Sequence, residues 1–264
     1  MVNFGIIQED KILPAERRLA IIKYLKEHNT SSITSLSEVF LSSPNTIRRD
    51  LKILEREGLV KCVYGGVMIS DNSSLDRPLL SRRIEAHEEK VKIAQKAVGL
   101  IREGDTIILD AGTTTEEIAK ALRGKKDITV ITNAINIAQI LVEESDITVT
   151  LSGGILMEKT HSLIGFTAEQ FFQDIHADKL FLSAGGVSFE YGLTNPNVFE
   201  IPVKKAMMKS AEEIILVVHS EKLGRNTLVS FASLDSINKV IVDAKIPPQF
   251  KEELEARGLE VIVG

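Results

Sequence analysis

The 264-residue chain is 44% hydrophobic and 26% charged, the balance of a soluble globular protein with a sizeable core, and no apolar run approaches the length of a membrane span. Trp is absent, aromatics make up 5%, and Cys62 is the single cysteine, which excludes intramolecular disulfides and argues against aromatic single-strand platforms and cysteine metal clusters. The net charge of −5 divides unevenly: residues 1–70 carry 10 Lys/Arg against 8 Asp/Glu and residues 71–264 carry 22 against 29, so two modules with different partners are expected. The opening MVNFGIIQEDKILPAERR lacks a basic segment followed by an apolar one, so no secretion signal is read there and a reducing cytoplasm is the expected compartment.

Residues 14–28 read as a helix with Leu19, Ile22 and Leu25 inward, ended by Asn29-Thr30-Ser31-Ser32, which also offers a cap to the next helix. That second helix is short and carries Ile33, Leu36, Val39 and Phe40. After a turn at Leu41-Ser42, Ser43 is placed to cap a third helix that opens on Pro44, runs to about Glu57 and stops at Gly58. On this helix Asn45, Arg48, Arg49 and Lys52 share one face, while Ile47, Leu51 and Leu54 lie opposite. Such a helix docks on a small core and enters a DNA major groove, where Arg reaches guanine or phosphate and Asn reaches adenine. Residues 59–69 read as two strands around a Gly-rich bend, with Cys62 expected to pack as a small apolar residue. Three helices followed by a hairpin is the winged helix-turn-helix plan, with the third helix as reader and the hairpin as wing.

Residues 71–83 are polar and turn-rich and read as a linker. From Ile84 a long helix is expected, with Val91, Ala94, Val98 and Ile101 on the same side. Strands at 106–110, 128–132, 148–152, 179–184, 213–218, 239–243 and 260–263 follow, the first four leading to helices near 116–122, 134–144, 167–175 and 198–210. Continuous apolar strands alternating with helices imply a mostly parallel sheet covered on both faces. The fold class is therefore α/β overall, with domains at 1–70 and 84–264 joined by 71–83.

In such a sheet ligands bind beyond the C-terminal ends of the strands. Asp110-Ala111-Gly112-Thr113-Thr114-Thr115 follows a strand and opens a helix. It suits an anion, through close backbone approach at Gly112 and the helix N-terminus, and equally suits a plain turn with Thr caps. Ser152-Gly153-Gly154 and Ser183-Ala184-Gly185-Gly186 end two further strands; each is a tight turn or part of one crevice lined by backbone N–H groups. Lys222, in Lys222-Leu223-Gly224-Arg225, is a solvated loop lysine or a cation at the same rim. His28, His87, His161, His176 and His219 are scattered, no metal-ligand spacing or serine-nucleophile signature occurs, and no metal, cofactor or catalytic residue is expected.

Thr46-Ile47-Arg48-Arg49-Asp50-Leu51, then Leu54-Glu55 and Tyr64-Gly65-Gly66, strongly resembles the DeoR-type winged helix. Asp110 through Thr114, Thr132-Asn133, Leu151 through Gly154, Gly165, Gly185, Gly192-Leu193-Thr194 and Lys222 through Arg225 resemble the sensor domain of DeoR-family transcriptional regulators. The resemblance implies a repressor, less often an activator, of a sugar-utilisation operon. It implies a sensor similar in fold to ribose-5-phosphate isomerase that takes a phosphorylated sugar or related metabolite, and a homodimer or homotetramer on double-stranded operator DNA. It assigns DNA reading to Asn45, Thr46, Arg48, Arg49 and Lys52, with Tyr64 and Gly65 in the wing. It assigns effector binding to Asp110, Gly112, Thr113, Thr114, Thr115, Gly154, Gly185 and Lys222. The chain departs from the family pattern at Leu41-Ser42 in the turn, at Tyr64 where His is usual, and at His219 where Asp is usual. The competing reading, a sugar-phosphate isomerase with an accessory DNA-binding module, lacks the acidic loop such isomerases carry, since residues 183–187 read Ser-Ala-Gly-Gly-Val.

Overall fold

The computed structural model describes residues 13–56, 58–69 and 78–264, so Glu57, Ser70 and the part of the expected linker at 71–77 lie outside the described residues. Contacts divide the chain into two compact units, Met1–Ser74 and Leu75–Gly264.

In the first unit α1 spans Pro14–His28, β1 Thr30–Ser32, α2 Ile33–Val39, α3 Pro44–Arg56, β2 Val60–Val63 and β3 Gly66–Ile69. Pro14 needs no N–H at the start of α1, and the Glu16 carboxylate accepts the Leu13 N–H at 3.3 Å. Ser32 Oγ accepts the Ser35 N–H at 3.0 Å to cap α2, and Ser43 Oγ accepts the Thr46 N–H at 3.2 Å to cap α3. Between them Leu41 takes φ 47° to make the turn and is exposed. Ile21, Ile22, Leu25, Leu36, Ile47, Leu51, Leu54 and Val67 form the core. Leu19 is only half-buried and Val39 is exposed, because α2 has seven residues and presents little more than Leu36 inward. The strand β1, absent from the sequence reading, pairs with β3 in the order β1-β3-β2. A Cβ on Gly66 would stand 2.5 Å from the Ser31 carbonyl, so glycine is what lets these two strands meet. Cys62 is exposed rather than packed; Val67, its partner across the hairpin, faces the core instead.

The second unit opens with α4 (Leu79–Ile84) and α5 (His87–Val98). The expected single long helix is broken at Ala86, whose φ of 48° is left-handed, and the last residues of the expected linker are helical with Leu79 buried. There follow β4 Thr106–Leu109, α6 Thr113–Ala121, β5 Ile128–Thr132, α7 Ile135–Leu141, β6 Ile147–Leu151, β7 Ile155–Met157, β8 Ser162–Ile164, α8 Phe166–Gln173 and β9 Ala177–Leu182. Then come β10 Gly186–Ser188, β11 Gly192–Asn195, α9 Ile201–Lys209, β12 Ala211–Val217, β13 Val229–Ala232, β14 Lys239–Val242, α10 Pro248–Ala256 and β15 Glu260–Val263. Seven strands form a parallel sheet in the order β15-β14-β12-β9-β4-β5-β6. Successive strand residues point to opposite faces. Ile107, Leu109, Phe181, Ile215, Val217 and Ile241 pack with α5, α6 and α7. Ile108, Leu180, Leu182, Leu216, Val240 and Val242 pack with α8, α9, α10 and the antiparallel trio β10-β11-β13. Burial on both faces is why these strands read as unbroken apolar runs. The hairpin β7–β8, the β10-β11-β13 sheet and α10 carry short or weakly periodic segments and were not expected from the sequence.

Candidate functional site

In the first unit, α3 is amphipathic as its spacing implies. Asn45, Arg48, Arg49 and Lys52 are exposed, whereas Ile47, Leu51 and Leu54 are buried. Arg48 Nη1 donates to Asn45 Oδ1 at 3.0 Å, so the two groups are held as one polar unit on the surface. Thr46 is partly occupied by its cap, its hydroxyl 2.9 Å from Ser43 Oγ. Asp50, between these cations, points inward: it is 2% exposed, accepts from Arg17 Nε at 2.6 Å and pairs with Arg18 Nη1 at 3.5 Å. This tie from α1 to α3 was not legible in the sequence, because Asp50 falls beside Arg49 on an otherwise charged stretch. Tyr64 is fully exposed at the hairpin tip and Gly65 takes φ 85°.

In the second unit the strand order reverses direction between β4 and β9: the chain leaves β4 for β5 and β6 on one side, then crosses to β9, β12, β14 and β15 on the other. Such a switch point leaves a crevice outside the strand ends. Asp110, just after β4, bridges it. Its Oδ2 accepts the Ser183 N–H at 2.9 Å, the Ser183 hydroxyl at 2.6 Å and Lys204 Nζ at 2.5 Å. Its Oδ1 is buried without a hydrogen-bond partner. The parallel register pairs Leu109 with Thr132, which sets Asn133 beside Asp110. Asn133 donates to the Leu163 carbonyl at 3.1 Å, and its Oδ1 is likewise buried without a partner. Two buried oxygens lacking donors at adjacent strand ends suit a hydroxyl-bearing ligand.

Cations gather at the same rim. Lys222 Nζ donates to the Ala184 carbonyl at 2.7 Å. Burial, then the charges of Lys90 and Arg82 and, more weakly, Lys204, push Lys222 down to about 7, with Glu85 opposing. Burial, Lys222 and Lys90 push His219 down to about 3, and both its ring nitrogens are buried without partners. Glu200 is buried, accepting from Ser162 Oγ and Asn195 Nδ2, each at 3.0 Å. Although burial raises it, Lys204, Asn195 and Arg82 hold Glu200 below the usual carboxylate range.

The sequence-derived effector residues are placed unequally. Thr113 and Thr114 begin α6 beside Asp110 and are buried. Thr115 turns inward: its hydroxyl donates to the Asp110 carbonyl at 2.6 Å and the Gly112 carbonyl at 3.0 Å, so it shapes the loop. A Cβ on Gly112 would meet Ser183 Oγ at 2.9 Å, which makes glycine a condition of the Asp110–Ser183 contact. Gly185 gives its N–H to the Thr194 carbonyl at 2.8 Å and leaves no room for a Cβ beside Pro196, so it does not line the crevice with a donor as expected. Gly154 is held elsewhere. It lies between β6, the edge strand of the sheet, and β7, and the space at its Cα is closed by the Ile164 carbonyl and Ala168. Sequence reasoning missed Arg82, Lys90, Lys204 and Glu200. Only Lys90 left a signal, as a lysine on the same helical stripe as Ile93, Ala94 and Ala97. Among the described residues no His/Cys/Asp/Glu group suits a metal ion, and no helix is long and apolar enough to cross a membrane.

Comparison with known proteins agrees with both units. A DeoR-like helix-turn-helix domain matches residues 17–73 and a DeoR C terminal sensor domain matches residues 85–244. The chain is 36% identical over 253 residues to the HTH-type transcriptional regulator GlpR of Haloferax volcanii, covering 96% of this chain and 99% of that one. It is 32% identical over 232 residues to the glycerol-3-phosphate regulon repressor of Escherichia coli K12, covering 88% and 92%. Ribose 5-phosphate isomerase A of Methanocaldococcus jannaschii aligns at a TM-score of 0.40 and 17% identity over 53% of this chain and 55% of that one, a similarity too low to carry chemistry. The isomerase reading gives way to relatives that are regulators rather than enzymes. With an exposed cationic reading helix in one unit, a polar crevice in the other and family matches spanning both, the chain belongs to the DeoR family and is a DNA-binding transcriptional regulator.

Proposed function

We propose that this regulator represses an operon for sugar or polyol utilisation and is controlled by a phosphorylated sugar or related metabolite bound at the β4/β9 crevice. The observation that carries the reading is the buried Asp110 carboxylate, whose Oδ1 lacks a donor, with Lys204 bonded to its Oδ2 and Lys222 bonded to the Ala184 carbonyl next to Ser183. A phosphate dianion relieves the repulsion between these two cations, and ligand hydroxyls supply donors to Asp110 Oδ1 and Asn133 Oδ1. A neutral sugar satisfies only the second need. The name of the Escherichia coli relative, which refers to a phosphorylated polyol, supports the same class. In this reading Asn45, Thr46, Arg48, Arg49 and Lys52 contact the operator, with Tyr64 and Gly65 at the wing. Asp110, Gly112, Thr113, Thr114 and Lys222 form the effector site, Thr115 supports it from behind, and Gly154 and Gly185 keep the surrounding loops close. Domains at 1–70 and 84–264 joined by 71–83, a homodimer or homotetramer on a palindromic operator, and a cytoplasmic location complete the proposal.

Calorimetry with matched phosphorylated and unphosphorylated sugars and polyols tests it. A phosphorylated ligand is expected to bind at least about tenfold more tightly than its neutral counterpart, a difference of about 1.4 kcal/mol. Lys222→Ala and Thr113→Val should weaken it while operator affinity without effector stays near wild type. Equal affinity for neutral and phosphorylated ligands would overturn the anion site.

A further inference from the structure

We infer that the crevice selects its ligand by two hydroxyl groups, and that Asn133 beside Asp110 is the specificity-determining contact for one of them. The effector is then a phosphate ester that keeps both hydroxyls, and analogues lacking either one are rejected. The inference rests on the effector-site reading above and deepens it by fixing the hydroxyl pattern of the ligand. The parallel register pairs Leu109 with Thr132, so Asp110 and Asn133 leave the ends of adjacent strands at the same level. Two residues earlier on each strand, Ile108 and Ile131 belong to the core on the α8 and α9 face of the sheet. Alternation along a strand therefore sends Asp110 and Asn133 to that same face. There Asp110 meets Lys204 of α9, and Asn133 meets the Leu163 carbonyl of β8.

Neither side chain is free to turn toward another partner. Asp110 Oδ2 is held by the Ser183 N–H, the Ser183 hydroxyl and the Lys204 ammonium. Asn133 Nδ2 is held by the Leu163 carbonyl at 3.1 Å. With one end of each group fixed, the other ends, Asp110 Oδ1 and Asn133 Oδ1, are presented in set directions, buried and without a donor. The donors around them are committed. The Thr132 hydroxyl donates to the Leu109 carbonyl at 2.6 Å, and the Leu163 N–H to the Asn133 carbonyl at 2.7 Å. Lys204 also donates to the Ser183 carbonyl at 3.1 Å and reaches the Ser183 hydroxyl at 3.4 Å. A carboxylate oxygen and an amide oxygen only accept, and so does a phosphate dianion, so the phosphate cannot satisfy either of them. Each takes one hydroxyl, and the phosphate lies at the other end of the ligand, toward Lys222 at the Ala184 carbonyl. A ligand missing one hydroxyl leaves a buried acceptor unpaired, which costs more than the lost bond alone.

Calorimetry on the full chain with four esters built on the same three-carbon chain tests this. Glycerol 3-phosphate carries two hydroxyls, 2-hydroxypropyl phosphate and 3-hydroxypropyl phosphate carry one each, and propyl phosphate carries none. Glycerol 3-phosphate is expected to bind about tenfold or more tightly than either monohydroxy ester. Asn133→Leu should lower its affinity to that of a monohydroxy ester, while the monohydroxy ester whose hydroxyl meets Asp110, and propyl phosphate, bind as they do to the wild type. A uniform loss over all four esters in this variant would mark a packing defect and overturn the contact. Should Asn133→Leu fail to fold, the wild-type series decides alone. Equal wild-type affinity for all four esters would overturn the hydroxyl pattern and leave the anion site standing. Glycerol binding as tightly as glycerol 3-phosphate would instead remove the anion site, and binding of none of the four would end the crevice reading and this inference with it.

Discussion

At the scale of single residues, exposure decides which cations are free to act on a ligand. Arg48 and Arg49 stand in solvent opposite the buried Ile47–Leu51–Leu54 stripe. Arg48→Ala and Arg49→Ala should each weaken operator binding by about 1–3 kcal/mol, or reduce its salt dependence where the lost contact is to phosphate. Their melting temperatures should stay at the wild-type value, and gel-shift titrations at several salt concentrations with a thermal melt check both. Lys222 behaves differently because it is buried and, secondarily, crowded by like charges. In the unfolded chain it keeps its proton up to about 10.5, in the folded chain only to about 7. Between those values the unfolded state binds more protons, so this group makes stability rise with pH across that window. His219 acts the same way between 6.5 and about 3, so its contribution is lost as pH falls through that range. A bound phosphate favours charged Lys222, so ligand binding above pH 7 should take up a proton and weaken as pH rises. Calorimetry in buffers of different ionisation enthalpy reads that proton, and Lys222→Met should abolish it. An unchanged buffer dependence in that variant would remove Lys222 from the site.

At the scale of elements, the reading helix is positioned by a charge pair as well as by its apolar face. Asp50 joins α3 to Arg17 and Arg18 of α1 almost out of solvent. Asp50 is buried and bonded to two arginines, so Asp50→Ala should destabilise the N-terminal unit by about 3 kcal/mol, the lower end of the usual range because both arginines keep some exposure. Chemical denaturation followed by a probe in that unit would show it; a loss under about 1 kcal/mol would mean the apolar stripe alone sets the helix. Helix faces and caps were legible because they follow from spacing within one segment. Ser43, Pro44 and the stripe announced α3, and Ser32 announced α2. The break at Ala86 was not legible: nothing local in Ile84-Glu85-Ala86-His87 forbids a continuous helix, and it is the Lys90 ammonium, bonded to the Arg82 and Glu85 carbonyls, that closes off α4.

At the scale of the whole molecule, the sensor unit has cores on both faces of its seven-stranded sheet and should fold alone. A 75–264 fragment is expected to melt cooperatively and bind inorganic phosphate. A fragment starting at residue 86 should melt at a lower temperature, because it loses the buried Leu79 and the Arg83–Glu116 pair. Equal melting temperatures of the two fragments would show that α4 adds nothing to the stability of this unit. The reading unit by itself presents one recognition helix, so a 1–74 fragment should bind operator only weakly until two copies are joined on a two-fold site. Tight binding by a monomeric fragment in a gel shift would contradict that.

What the amino-acid sequence determined by itself is whatever a short stretch of chain specifies through its own periodicity. It set the cationic face of α3, the sheet strands with two buried faces, and the strand-to-helix loop at Asp110 through Thr115. The family motifs could be read from the same stretches. What only the tertiary structure decided is which of these stretches meet. Asp110 and Ser183 touch across 73 residues and Asp110 and Lys204 across 94. Strand order made those contacts, by placing β9 beside β4 and sending β6 to the edge, so Ser183 joins the centre and Gly154 does not. Lys204 was indistinguishable from Lys205 by spacing, and Arg82 lay inside a segment that reads as linker. The physical reason is that helical and strand periods are properties of neighbours in sequence. A buried charge is stable only with partners supplied by other elements, and those partners exist only once the sheet has closed.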